Sequence, residues 1–430
     1  MRKIVISIYL IFIFCLSLSS GLNCNDGKIR GVNLGGWLVL EEWMTPTLFK
    51  DFQIRYGDDI HDEWNLAVKA GKDIFYKERL RIHWDSFYAK QEIKLLSDSG
   101  ISHVRIPVPY WFWQVDSDEP YPEPNLNEND ENSPLFYLKR MMEWLDEFDM
   151  SANIDLHTAP GSQNGFDNSG RTGDPHWVEW GQVGRSKLHI RMIAETMKDW
   201  LNKNYFKRRT VYSFCVLNEP GGWLEDIWNT CRYDYYPDAY RNIREVFPDW
   251  DIGVNIQQAF RQGWEFDSLM VAPEFQSVSV DMHVYQCFGD WWNSIHNDDA
   301  GKGIHFDESC KYALDVKDRY HWTFTGEWSL GNAGPWDFND PSYVEFLRLW
   351  FIAQIDAFEY GEKGFGWFFW AGKIEGTGYP EWNYLGLLEK GIAPENLCNR
   401  QTFCIFKEDK MGKLISTSFN QTLAQTSFKN

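Results

Sequence analysis

Residues Val211 to Pro220 read VYSFCVLNEP, an apolar run of β-branched and aromatic residues that stops at Asn218-Glu219-Pro220. A strand buried on both faces reads as a near-continuous hydrophobic segment, and Pro220, with no N–H to donate, cannot prolong it. The stretch therefore predicts a parallel strand with Glu219 at its carboxyl end. In barrel enzymes that edge carries the chemistry, because the loops that follow the strands build the site there. Glu219 is thus a candidate for proton transfer. Three residues also suit an ordinary strand-end turn, so the decision rests on what the rest of the chain sets beside them.

Working outward, the same kind of segment recurs. KIRGVNLGG is a first strand, HVRIPV a second and SANIDLH a third; VYSFCVLN is the fourth. DIGVNI, SVSVDMHVY, WTFTGEWS and GFGWFFW follow as the fifth to the eighth. Amphipathic stretches at Tyr88 to Ser97, Tyr137 to Met150 and Arg185 to Leu201 predict helices between them. Repeated β-then-α units predict an α/β fold, a single (β/α)8 TIM barrel with long loops on the catalytic face. The loops after strands two, six and eight are long enough to wall a site. The loop TAPGSQNGFDNSGRTGDP after strand three contains GFDNSGRT, close to a phosphate-binding loop, but Arg171 stands where that loop has lysine.

Composition narrows the function. The 430 residues carry a formal charge of −20, which opposes a nucleic-acid or anionic-membrane partner, since neutralising phosphates takes clustered Lys and Arg. The 23 Trp, 20 Tyr and 30 Phe offer flat faces for sugars as well as for packing. Arg2 and Lys3, an apolar run and then Ser19, Ser20 and Gly21 form a secretory signal pattern over 1–21. A catalytic domain over 22–405 and a polar tail over 406–430, with an Asn420-Gln421-Thr422 sequon, complete the expected organisation. Loss of Cys15 with the signal leaves seven cysteines. Cys215, inside the fourth strand, reads as a buried thiol, and spacing alone does not fix how the other six pair. No H-e-x-x-H, G-x-S-x-G or Cys/His zinc spacing occurs, so neither a metal nor another cofactor is expected.

Gathered at the strand ends are Arg105, His157, Asn218, Glu219, His283, Tyr285, Glu327 and Trp370. Two carboxylates on strands four and seven would face each other across the mouth at about 5 Å, the separation that glycoside hydrolysis by double displacement requires. Arg105 would keep one ionised, and Asn218 would offer a hydrogen bond to a sugar 2-hydroxyl. Ionised Glu327 would raise the pKa of Glu219 and keep it ready to donate.

IRGVNLGGWLVLEEWMTPTLF, HVRIPVPYW, IDLHTAPGSQNGFDNSG, VLNEP, HVYQ, TGEWS and WFFW with PEWNY together resemble glycoside hydrolase family 5, and within it the fungal-type exo-β-1,3-glucanases, over most of the mature length. The resemblance implies Glu219 as acid/base and Glu327 as nucleophile. It places Glu41 on the terminal glucose, Asn168 among the substrate-binding residues, and Phe166 with Phe288 as a clamp on the next sugar. It also implies a Cys310 to Cys404 disulfide, with Cys398 as the rival partner. Thr158 stands where the family usually has glycine, and Glu42 where it usually has proline. The expected activity is a secreted, wall-associated monomer releasing glucose from the non-reducing end of a β-1,3-glucan. A β-1,6-glucanase or glycolipid glucosidase is the alternative on the same scaffold, and a non-catalytic glucan-binding wall protein is the alternative of another class.

Overall fold

The computed structural model describes Cys24, residues 26–400 apart from 249–250, 296–298, 333–336 and 377, and residues 402, 404, 407–408 and 414–415. The proposed signal segment and the sequon at Asn420 lie outside the described residues. Eight parallel strands close into a barrel in sequence order. They are β1 (Ile29–Asn33), β2 (His103–Val108), β3 (Ser151–Leu156), β4 (Val211–Cys215), β5 (Gly253–Gln257), β6 (Val278–Val284), β7 (Trp322–Trp328) and β8 (Gly364–Phe369). β1 pairs with β8 through Ile29–Gly366 to Val32–Phe369, which shuts the cylinder.

All eight strands stand where the apolar runs predict them, because a strand enclosed by helices must be hydrophobic on its outer face and tightly filled within. β4 is shorter than VYSFCVLN suggests, ending at Cys215. Beyond it the chain still bonds to its neighbours, Val216 N–H to the Asn255 carbonyl and Asn218 N–H to the Leu156 carbonyl. The last residues thus splay toward the mouth while remaining anchored.

The longest insertion follows β1, where helices Pro46–Tyr56, Glu63–Ala70 and Ile74–Ser86 precede the expected one at Lys90–Asp98. Local chemistry sets their starts. Pro46, Pro134 and Pro341 each open a helix, where the missing N–H costs nothing, and Asp62 caps its helix by accepting from Asn65 N–H. Among the described residues no helix is long and apolar enough to cross a membrane.

Two disulfides tie the ends of the chain to the barrel. Cys310, on helix Asp299–Lys317, is joined to Cys404. Cys398 is joined instead to Cys24, just before β1. Cys215, Cys231 and Cys287 are free thiols. Near the β1–β8 seam Arg30 and Arg400 both grip Glu359, at 2.7 and 2.9 Å.

Candidate active site

The carboxyl ends of the strands open into a cavity of about 730 Å³. Nine of the residues expected at the site line it: Glu41, Phe166, Asn168, Glu219, His283, Tyr285, Phe288, Glu327 and Trp370. Arg105, His157 and Asn218 are brought to the same place but lie fully buried beneath the surface, as supports of the lining groups.

Glu327 is placed by an irregularity between β6 and β7. Register runs Met282–Thr325 and then His283–Glu327, so Gly326 is an extra residue that turns Glu327 opposite His283. Only glycine fits there, since a Cβ would stand 1.8 Å from Asp281 Oδ1. Glu327 Oε1 accepts from Arg105 at 2.9 Å and Oε2 accepts from the Tyr285 hydroxyl at 2.9 Å.

Glu219 is held differently. Its φ is +41°, a left-handed conformation rare for a residue with a side chain. The loop after β3 fixes it: Asn164 Nδ2 donates to the Glu219 carbonyl and Gln163 Nε2 to the Asn218 carbonyl, each at 3.0 Å. Glu219 Oε2 accepts from Asn168 at 2.8 Å, while Oε1 meets His283 Nδ1 at 2.7 Å. The stretch that imitates a phosphate loop therefore serves Glu219, and its Arg171 lies over the Trp64 ring at 4.1 Å.

One oxygen of Glu219, one of Glu327 and a ring nitrogen of His283 all lie within 4.8 Å of one another. Such a group is close enough to ligate a cation. Here, though, its atoms are committed to Arg105, Tyr285, Asn168 and each other, a donor set that suits proton chemistry better.

Burial alone would raise the pKa of Glu219, but its hydrogen bond and charge contact with His283 outweigh this and hold it below the ordinary value. Burial raises Glu327, against the pull of His283 and Arg105. Burial would likewise lower His283, yet the charges of Glu327 and Asp281 carry it up to about 10. This reverses the expectation that Glu327 raises Glu219. The cause is His283, whose Nδ1 lies 2.7 Å from Glu219 and 3.3 Å from Glu327.

Beneath the pair, Arg105 binds Asn33 Oδ1 at 3.0 Å and Asn218 Oδ1 at 2.7 Å and pairs with Asp155 at 3.2 Å. Burying a guanidinium is tolerable only with such compensation. Asn218 turns its amide to Arg105 and, at 3.5 Å, to His157, so in this arrangement it is a support rather than a wall of the cavity. His157 Nδ1–H donates to Asp155 Oδ2 at 2.6 Å, and the ring lies parallel to Trp370 with 5.5 Å between ring centres.

Asn33, Asp155 and Asp281 escaped the sequence reading. A signal for two of them was present: Asp155-Leu156-His157 and Asp281-Met282-His283 repeat one D-x-H pattern at two strand ends. Residues i and i+2 of a strand share a face, so each aspartate must lie under its histidine.

Glu41 forms the far wall. Its Oε2 accepts from Trp43 at 2.8 Å, and its buried Oε1 meets no protein donor among the described residues. Burial and the nearby charge of Asp167 push its pKa well up. At the mouth, Phe166 packs on Trp223 and Phe260, whereas Phe288 packs on Tyr285 and Trp382. Both rings are exposed, by 42% and 63%, and available to a ligand.

A closed (β/α)8 barrel with two carboxylates at the ends of β4 and β7, in a cavity rimmed by aromatic rings, defines a glycoside hydrolase site. Residues 68–376 match the cellulase family, glycosyl hydrolase family 5, and the chain belongs to that family. It is 30% identical to a glucan 1,3-beta-glucosidase of Blumeria graminis, over 88% of this chain and 89% of the relative. Identity with the glucan 1,3-beta-glucosidase of Schwanniomyces occidentalis is 32%, over 89% and 92%. Among solved structures, the rutinosidase from Aspergillus niger superposes with a TM-score of 0.64 at 20% identity, covering 87% of this chain and 100% of that one, a likeness of fold.

Proposed function

We propose that this protein is a secreted, retaining exo-β-1,3-glucosidase that removes glucose from the non-reducing end of a β-glucan. The observation that carries the reading is the pair Glu219 and Glu327, close enough for double displacement and unequally bonded. The glucan specificity draws its support from the named relatives and from the pocket residues that carry the family resemblance. Glu41 Oε1, buried with no donor among the described residues, suits a hydroxyl of the terminal glucose. The basic, apolar and small-residue order of 1–21 and the two disulfides support export to an oxidising compartment.

The reaction follows from where one proton sits. At rest His283 holds it against Glu219 across 2.7 Å. Transfer along that bond leaves His283 neutral and Glu219 protonated. Glu327 attacks the anomeric carbon while Glu219 gives its proton to the departing glycosidic oxygen, so a glucosyl ester forms and the C1–O bond breaks. With Glu327 esterified, its negative charge is gone and Glu219 is ionised. Glu219 then takes a proton from water as the water oxygen attacks the anomeric carbon, the ester bond to Glu327 breaks, glucose leaves with retained configuration, and the proton passes back to His283 across 2.7 Å. Arg105 and Tyr285 stabilise the returning carboxylate of Glu327.

A panel of β-1,3-, β-1,6- and β-1,4-glucans with product analysis tests this. Glucose alone, initially as the β-anomer and fastest from the β-1,3-glucan, is expected. Oligosaccharides as first products, or binding with no product, would overturn it.

A further inference from the structure

The stretch HVYQ gives His283 and Tyr285 to the site, but its last residue, Gln286, is buried and turns away from the cavity to the outer helix Asp299–Lys317. Its amide is held at both ends. Nε2 donates to Ser309 Oγ at 2.7 Å, and Oε1 accepts from His305 Nδ1 at 3.0 Å. The partners are fixed in turn: Ser309 Oγ also accepts from Trp350 Nε1 at 2.9 Å and donates to the His305 carbonyl at 2.8 Å, which uses its proton and both lone pairs. Burial lowers the pKa of His305 to about 4, so its ring is neutral and its one N–H faces Gln286. That ring packs on Trp292 and Trp350.

On either side of Gln286 the chain meets the site. Tyr285, before it, donates to Glu327 Oε2 at 2.9 Å, and Phe288, two residues on, packs on Tyr285 with its ring exposed at the mouth. β6 ends at Val284, so the barrel ladder does not reach these residues. The Gln286 amide supplies the hold that the ladder no longer gives. Its anchorage is firm, since Cys310, next to Ser309, is joined to Cys404 and Trp350 belongs to the neighbouring helix Pro341–Phe358. A functional side chain keeps its aim when the groups behind it are locked by packing and hydrogen bonds.

We propose that Gln286 is a positioning residue, which through Ser309 and His305 fixes the turn that aims the Tyr285 hydroxyl at Glu327 and sets the Phe288 ring at the mouth. The inference rests on the reading of Glu327 as nucleophile. Gln286 itself stands behind the cavity wall. Its influence therefore arrives in two parts, through Tyr285 on bond cleavage in every glucoside and through Phe288 only where a leaving-side sugar is present.

The test compares Gln286→Met, which keeps the length without the amide, and Ser309→Ala, which cuts the tether from its other end. Each is made alone and together with Tyr285→Phe, and kcat/KM is measured on p-nitrophenyl β-glucoside and on a β-1,3-linked glucotriose. Either change alone should lower kcat/KM for the aryl glucoside about tenfold, the scale of one hydrogen bond to a charged group. With Tyr285→Phe already present, the same change should lower the aryl glucoside rate no further and still slow the glucotriose, because only the part through Phe288 remains. An equal further loss on both substrates in that background, as general loosening would give, or no loss from either change alone, would overturn the assignment. Inactivity of the unaltered protein on both substrates would instead overturn the β-glucosidase reading itself.

Discussion

His283 Nδ1 lies 2.7 Å from Glu219 and 3.3 Å from Glu327, while its Nε2 lies 3.5 Å from Asp281. One imidazole thus faces three carboxylates from β6, β7 and the loop after β4. The charge of this ring, rather than repulsion between the two glutamates alone, decides the direction in which Glu219 departs from its ordinary value.

In the proposed reaction Asp281 would act through His283, whose Nε2 it faces. Its neighbours are His283 on its own strand, Arg105 on β2 at 3.7 Å, Cys215 on β4 at 3.5 Å and the backbone at Gly326 on β7. Asp281→Asn keeps the shape and removes a charge that favours protonated His283. His283 then loses its proton at lower pH, and the alkaline limb of kcat/KM is expected to move down by about one unit. A uniform fall in rate with an unmoved limb would assign Asp281 a purely structural part.

Phe166 and Phe288 occupy separate aromatic groups at the mouth, so each should act on the leaving-side sugar. Replacing either by Ala should slow hydrolysis of β-1,3-glucan oligomers about tenfold more than that of an aryl glucoside, the scale of one lost ring contact. Thermal melting separates this from a packing role. A lower Tm with equal losses on both substrates would point to packing.

Stability should show its own pH dependence through Glu63. Burial pushes its carboxyl from 4.5 up to about 8, against the Leu40 N–H that it accepts at 2.9 Å. A group raised on folding contributes stability that is complete below its unfolded value and is lost as pH rises through the folded one. Glu63→Gln, which keeps the acceptor, should therefore match the parent Tm near pH 4 and exceed it at pH 9. Equal melting curves at pH 9 would contradict a buried protonated Glu63.

The barrel was legible because enclosed parallel strands have one possible composition, and all eight runs could be counted. The helix Ile74–Ser86 was not. Ile74 and Ile82 are exposed while His83 and Trp84 are buried, so polarity does not track its faces. The site residues were readable by type and strand end, yet their roles depended on side-chain direction. Asn218 turned inward to Arg105, and His283 reversed the expected order of the glutamates. Neither effect leaves a trace in spacing, since both arise where β4 splays and where Gly326 interrupts the β6–β7 register.

The central claim is that Glu327 attacks and Glu219 moves the proton. A 2-deoxy-2-fluoro-β-glucoside with an activated leaving group slows release of the ester and should trap it. Peptide mass mapping should then place one fluoroglucosyl group per chain on Glu327, within Thr325-Gly326-Glu327-Trp328-Ser329. Stoichiometric labelling of Glu219 or any other acid, or an α-configured first product from the unlabelled reaction, would contradict the account.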